Sequence, residues 1–328
     1  MKITRIAALA AVTAAGLMLA ACSSGDLSGG ETSAPTAEAE GSGELTPITV
    51  GLLQIAPSAA VQLGIDEGIF EKHGLDVTVQ LGQGGAALLP AVSSGSIQFA
   101  VGNPLSVLVA ASQGLEMSIV SGFSAVADPA PSGIVVKEDS GITTWKDLEG
   151  KTVALNAVNT QGDLTTKAYV EEDGGDPAAV NFIEIAFPDQ LAQLEQGNID
   201  ASWIPEPFLS ASLATEGVTF LGDPLTAIDG LYTMVGFSST AYVEENPEIA
   251  EAFAAAITEA TALAMDDTDR YRDTIVEFTG MPADVVKNIA LENLSGDLDR
   301  GVIEELSAMA LKYGFIDSEP DLDKVIIQ

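Results

Sequence analysis

The chain is short of three things: it has one cysteine, one histidine and only 13 lysines and arginines among 328 residues. Each shortage excludes something. A lone thiol closes no internal disulfide, so the folded part relies on packing alone. His73 ends an amphipathic stretch beside Gly74, a position suited to neutralising a helix C-terminus rather than to acting as a base. With no second histidine, a Ser-His-Asp or Cys-His site and a His/Cys zinc centre are set aside. The basic residues face 48 acidic ones, for a net charge of −35. Such a surface repels nucleic acid, and no basic cluster offers a local exception. The acidity says less about a small ligand, because salt screens exposed charges beyond about 8 Å. Cofactor loops are missing too: Gly82-Gln83-Gly84-Gly85 is not a GxGxxG fingerprint, and no GK[ST] follows it. No metal and no cofactor is therefore expected. Paired carboxylates are the one catalytic apparatus left open, and no spacing singles a pair out.

What is present begins at the N-terminus. Lys2 and Arg5 form a short basic region before an apolar and small-residue run over residues 6–21, 16 in all, where a membrane span needs about 20. The run ends in Leu19-Ala20-Ala21-Cys22, which resembles the lipobox of bacterial lipoproteins. That resemblance implies a signal peptide over 1–21, lipidation of Cys22 and a place on the outer face of the cytoplasmic membrane. Residues 22–45 are rich in Ser, Gly, Ala, Thr and Glu, with almost no large apolar side chain. They cannot offset their ordering entropy and read as a disordered tether.

Past residue 46 the pattern changes. Short β-rich runs at 48–53, 76–80, 97–101, 117–122, 133–137, 152–155, 181–184, 200–203, 218–221 and 231–237 alternate with stretches of helical spacing such as 59–70, 105–113 and 160–172. The alternation predicts βαβ units and mainly parallel sheets. Beyond Ser238 the spacing is almost wholly helical. Helices over 247–265 and 282–291 each open on a proline with an acid in the first turn. A loose echo links residues 95–100 (GSIQFA) with 197–202 (GNIDAS); two similar α/β lobes would produce it.

Five segments then match one family in order. Leu63-Gly64-Ile65-Asp66-Glu67-Gly68-Ile69-Phe70-Glu71-Lys72-His73-Gly74-Leu75-Asp76-Val77 follows A-x-x-x-G-[FY]-F-x-x-x-G-L-x-V, with Ile69 in place of an aromatic residue. Gly95-Ser96-Ile97-Gln98-Phe99-Ala100-Val101-Gly102 follows G-x-x-D-F-A-x-G, with Gln98 in place of aspartate. Residues 133–142 and Asp147-Leu148-Glu149-Gly150-Lys151-Thr152-Val153-Ala154 continue the series, as do residues 193–201 and Glu206-Pro207-Phe208. Together these resemble the nitrate/sulfonate/taurine and thiamine-precursor solute-binding proteins of ABC importers. The resemblance implies an α/β, type II periplasmic-binding-protein fold: two α/β lobes with mainly parallel sheets, joined by two hinge crossovers, holding a small polar solute in the cleft. Lobe 1 would comprise 46–125 plus 233–328 and lobe 2 130–228, with hinges near 124–132 and 223–231. The implied partners are ABC permease subunits with an associated ATPase, served by a monomeric protein. A secreted lipoprotein hydrolase and a ligand-sensing module without a transporter are the alternatives.

In α/β lobes, ligands gather at the carboxyl ends of strands, where helix N-termini offer unpaired N–H groups and roughly half a positive charge. Four loops qualify. The first supplies Gln54 and Ser58, the latter as a helix N-cap. The second supplies Gly84 and Gly85, which would let backbone approach a ligand. The third supplies Asn103, a cap ahead of Pro104, and the fourth Asn156, Asn159 and Thr160. Trp203 offers an apolar wall and Glu206 an acceptor for an amine or heterocyclic N–H. Tyr232, beside the second hinge, serves either packing or the ligand. No Lys or Arg falls in these loops. A sulfonate or nitrate commonly attracts a cationic side chain, so the loops favour a neutral, zwitterionic or amine-bearing solute.

Overall fold

The structure, a computed structural model, describes residues 45–82 and 85–327. The expected signal peptide, Cys22 and the tether up to residue 44 lie outside the described residues, as does Gly84. Among the described residues no helix is long and apolar enough to cross a membrane.

Strands β1 (Thr46–Leu53), β2 (Leu75–Gly82), β3 (Phe99–Gly102) and β4 (Met117–Ala125) build most of a first sheet. The chain then crosses into a second sheet of β5 (Ser132–Lys137), β6 (Thr152–Leu155), β7 (Asn181–Glu184), β8 (Ala201–Pro205) and β9 (Val218–Gly222). It returns to the first as β10 (Tyr232–Ser239), and β11 (Asn293–Leu294) lies at that sheet's edge. The orders are β11-β4-β10-β3-β1-β2 and β7-β6-β8-β5-β9. Pairs β1–β2, β1–β3, β6–β7 and β6–β8 are parallel. β10 runs antiparallel between β3 and β4, and β5 antiparallel between β8 and β9. Most strands in each sheet thus share one direction, and the strand that has just crossed over enters reversed.

The two sheets therefore share an order, and the sequence echo falls at equivalent places, leading into β3 and β8. The likeness extends to side chains. Gln98 Oε1 accepts the Thr49 N–H at 2.8 Å, and Asp200 Oδ2 accepts the Thr152 N–H at 2.8 Å. Each fixes the start of one parallel pair. Gln98 also donates to the Gly95 carbonyl at 2.8 Å, a bond an ionised aspartate could not make. Burial explains the strand patterns: β3 and β10 are buried throughout and read as apolar or small runs, while β2 alternates half-buried with exposed positions, as an edge strand does.

Two expected helices differ. The 59–70 helix breaks into Ala59–Asp66 and Ile69–Lys72, because Gly68 takes a left-handed conformation at φ 69°. His73 follows the second piece and pairs with Glu259 through Nε2 at 3.0 Å. The 282–291 helix shrinks to Ala283–Val286. Arg272 is the reason: its guanidinium donates to the carbonyls of Val286 (2.8 Å) and Ile289 (3.1 Å). It thereby satisfies the backbone acceptors of an irregular stretch, which a longer helix would have paired internally. Behind the first sheet, Phe253 on helix Pro247–Asp266 stacks on Phe99 at 4.1 Å.

Candidate functional site

The carboxyl ends of β1, β3, β6 and β8 converge on one cavity of about 50 Å³. At about 10–15 Å³ for each water, that is room for only a few. Leu53, Ile55, Asn103, Thr233, Met234 and Glu292 line it from the first-sheet side. From the other side come Ser132, Asn156, Thr160, Gln161, Gly162, Phe187, Trp203, Pro205 and Leu225. Ligand pockets usually enclose several hundred Å³, so the two sides stand close together and must part to admit a solute.

Asn103 caps helix Pro104–Ser112: its extended backbone turns the chain, and its Oδ1 accepts the Ser106 N–H at 2.9 Å. With the oxygen spent on the cap, its amide N–H groups are what it can offer a ligand. On the opposite wall, the loop after β6 leads into helix Gln161–Glu172. Asn159 adopts φ 58°, a left-handed turn that asparagine tolerates. The N–H groups of Asn159 and Thr160 both bond the Asp163 carboxylate at 2.7 Å. Burial nevertheless pushes Asp163 up to about 6. Gln161 donates to the Tyr232 carbonyl at 2.6 Å, linking the two sides. Gly162 is required here, since a Cβ would lie 2.7 Å from Leu155 Cδ2 and 3.2 Å from Trp203 Cδ2. The glycine lets the indole lie against the helix.

Trp203 and Phe187 form the aromatic wall, with ring centres 6.0 Å apart. Among the described residues Trp203 Nε1 is buried without a hydrogen-bond partner, as are Ser58 Oγ and Ser106 Oγ. A buried donor left unmade costs about 1–3 kcal/mol, so the indole N–H is a ready contact for a ligand acceptor. Among the described residues the ionisable one lining the cavity is an acid, Glu292, and no Lys or Arg lines it. Nearby, Asp223 accepts from the lining Ser132 hydroxyl at 3.2 Å and the Leu225 N–H at 3.0 Å. Burial pushes Asp223 up to about 6. Among the described residues no group of His, Cys, Asp and Glu is arranged to hold a metal ion.

Of the residues expected from sequence, Asn103, Asn156, Thr160 and Trp203 line the cavity. Gln54, Ser58, Asn159, Glu206 and Tyr232 lie off it. Gln54 is exposed and donates to the Phe278 carbonyl at 2.9 Å. Ser58 is fully buried but does not cap: it is already helical at φ −62°, because turns at Ala56 and Pro57 take up the first N–H groups. Gly85 begins helix Gly85–Ser93, and Asn159 serves the turn. Glu206 is buried and spent on the Ser210 N–H (3.0 Å), the Ser210 hydroxyl (2.6 Å) and the Ala290 N–H. Burial still raises its pKa. Tyr232 donates from its hydroxyl to Asp297 O at 3.2 Å and accepts the Asp299 N–H at 2.7 Å, a packing role. Sequence reasoning missed Ser132, Phe187 and Glu292. Phe187 had a signal, since it precedes Pro188 at a helix start; Glu292 had none.

A family model described as NMT1/THI5 like matches residues 57–270. The putative aliphatic sulfonates-binding protein of Escherichia coli K12 is 28% identical over 211 residues, 62% of each chain. The formylaminopyrimidine-binding protein of Halalkalibacterium halodurans is 24% identical over 194 residues, 58% of this chain and 57% of its own. This chain thus spans about three-fifths of the length of those two relatives. The crystal structure of the periplasmic aliphatic sulphonate binding protein SsuA from Escherichia coli superposes with a TM-score of 0.70 at 20% identity, covering 85% of this chain and 96% of that one. The desulfurization enzyme DSZB carries the same fold at 16% identity and a TM-score of 0.63, covering 85% and 95%. With the family model matching most of its folded part, this chain belongs to the NMT1/THI5-like family.

Proposed function

We propose that this chain is the extracytoplasmic solute-binding component of an ABC importer, held to the membrane through a lipid on Cys22. Two lobes, 46–125 with 233–328 and 130–228, would close on one small polar organic solute containing nitrogen or sulfur. The closed form would then dock on permease subunits backed by an ATPase. One observation carries this reading: strand ends from two similarly ordered sheets converge on one cavity, and among the described residues the backbone passes between the sheets at two crossovers. The crossovers lie side by side, with the Val126 N–H bonded to the Leu231 carbonyl at 3.0 Å. One bending axis can therefore serve both, and a ligand that touches both sides favours the closed state. The names of the two relatives bracket the solute between a sulfonate and a substituted pyrimidine.

A thermal-shift screen against sulfonates, nitrate, pyrimidines, amino acids, polyamines and aromatic acids tests it. A ligand at about 100 times its Kd adds roughly 2.7 kcal/mol, a shift of several degrees. The expected result is a hit that disappears in Asn103→Ala and in Asn156→Ala. Silence from a folded protein across the panel would favour a surface-interaction module instead. A hydrolase is the second reading, favoured by Glu292 on the cavity wall and Asp223 beside the lining Ser132, two carboxyls with raised pKa values. Recovering the bound ligand unchanged after prolonged incubation counts against it, and a product of hydrolysis would establish it.

A further inference from the structure

Glu292 reaches the cavity from outside residues 57–270, the part of the chain matched by the family model. Its carboxylate accepts from the Thr233 hydroxyl and from Ser124, and those two hydroxyls lie 2.5 Å apart. Two hydroxyls supply two protons between them, while an ionised carboxylate offers about four lone-pair positions. Acceptor capacity is therefore left over on the cavity wall. Among the described residues no salt bridge involves Glu292. The nearby charge that acts on it is of the same sign, from Asp223. A buried carboxylate without a cation is costly, and here it stands where a solute would arrive.

We propose that Glu292 selects the charge of the ligand: the cavity takes a small nitrogen base, an amine, amidine or aminopyrimidine, whose N–H groups complete the carboxylate. Trp203 and Phe187 lie against the apolar part of that base, and sulfonates and nitrate are rejected. The proposal rests on the solute-binding reading and sharpens it. It also moves the acceptor role that sequence reasoning gave Glu206 to a residue whose carboxylate is not already consumed by neighbouring N–H groups.

The geometry has a consequence for protons. Burial, reinforced by Asp223, pushes Glu292 up to about 7. The other ionisable groups around it are engaged elsewhere. Tyr271 donates to the Ala56 carbonyl at 2.9 Å and is held well above its usual range by burial and by Glu292. Arg272 serves Val286 and Ile289, Glu206 serves Ser210, and Asp163 serves Asn159 and Thr160. Asp223, raised to about 6, keeps its Ser132 and Leu225 partners. Near pH 6 the free protein therefore holds a proton on Glu292. A cation expels that proton on binding, whereas an anion would draw further protons in.

Isothermal titration of the full chain tests this with butylamine, benzamidine and 4-amino-2-methylpyrimidine against butanesulfonate and benzenesulfonate. Repeating the titrations in buffers of different ionisation enthalpy counts the protons exchanged. The expected outcome is binding of a base, with butylamine or benzamidine releasing protons near pH 6. Their affinity should rise between about pH 5.5 and about pH 8. Glu292→Gln should weaken base binding roughly 10–100-fold and flatten that rise. The wild-type proton count stands whether or not the variant folds. A sulfonate that binds with proton uptake, or a base whose affinity Glu292→Gln leaves intact, overturns the selector role while the solute-binding reading survives. No binding by any probe of either charge overturns both.

Discussion

Glu292, Asp223 and Asp163 are carboxyls held by hydroxyls or backbone N–H groups at or near one cavity, and burial outweighs those bonds in each. They are raised to about 7, about 6 and about 6. A carboxyl whose folded pKa exceeds its unfolded value of about 4 favours folding in its protonated form. That contribution is complete below the unfolded value and is lost as pH rises through the folded one. The unliganded protein should therefore melt several degrees lower at about pH 8 than at about pH 5. Asp147, Glu171 and Glu259 act oppositely, because hydrogen bonds hold each below its usual range. Their effect is confined to pH values near and below about 4. Melting curves across the window check this, and a Tm that climbs with pH contradicts it. Glu292→Gln removes one of the three charges, so it should raise the Tm at about pH 8 and change it little at about pH 5. An acid that lines the cavity while destabilising the empty protein is what a binding role predicts.

Residues 283–292 decide how that side chain is placed, and they mark where sequence reading reaches its limit. Met281-Pro282-Ala283-Asp284 reads as a helix start, and a helix does form, but it stops at Val286. What stops it lies elsewhere in the chain. Arg272, 14 residues before Val286, takes two carbonyls, and Glu206, from the other side of the cleft, takes the Ala290 N–H. Local spacing carries no trace of partners so distant, so nothing in the sequence singled out Glu292, which follows the expected 282–291 helix. Asn103 was legible for the opposite reason: its cap, the Ser106 N–H and Pro104 all sit within one turn. Arg272 does not line the cavity and acts as a positioning residue. Arg272→Ala should cost about 1–3 kcal/mol by orphaning the two carbonyls and should weaken ligand binding as well. Arg272→Lys should restore only part, because one ammonium cannot reproduce the fork. Stability and Kd must be measured together: a variant that melts early yet binds as the wild type does would show that this stretch does not place Glu292.

On the scale of the whole molecule, both sheets were legible as alternating strands and helices, since each strand is apolar or alternates according to how many faces it buries. The reversed entry of β5 and β10 was not, because an apolar run reads the same whichever way it is paired. Nor did the sequence reveal what bridges the two halves at their surface. Glu171, at the end of helix Gln161–Glu172, accepts from Lys312 Nζ and the Tyr313 hydroxyl, both at 2.5 Å, beyond helix Arg300–Lys312 or at its last residue. Lys167 adds a contact over the Phe315 ring at 4.8 Å. These groups tie the element after β6 to the C-terminal segment, so parting the sheets must break them. Exposed ion pairs contribute little, and a clasp of this kind adjusts the balance between open and closed forms without dictating it. Glu171→Ala should weaken ligand affinity only about two- to fivefold, chiefly by faster release. It should also enlarge the unliganded protein's radius of gyration in X-ray scattering. Because salt screens the Lys312 pair, the gap between wild type and variant should narrow as ionic strength rises. Unchanged scattering together with unchanged release would mean that closure depends on the crossovers and the cavity alone, with the Glu171 bridge merely accompanying it.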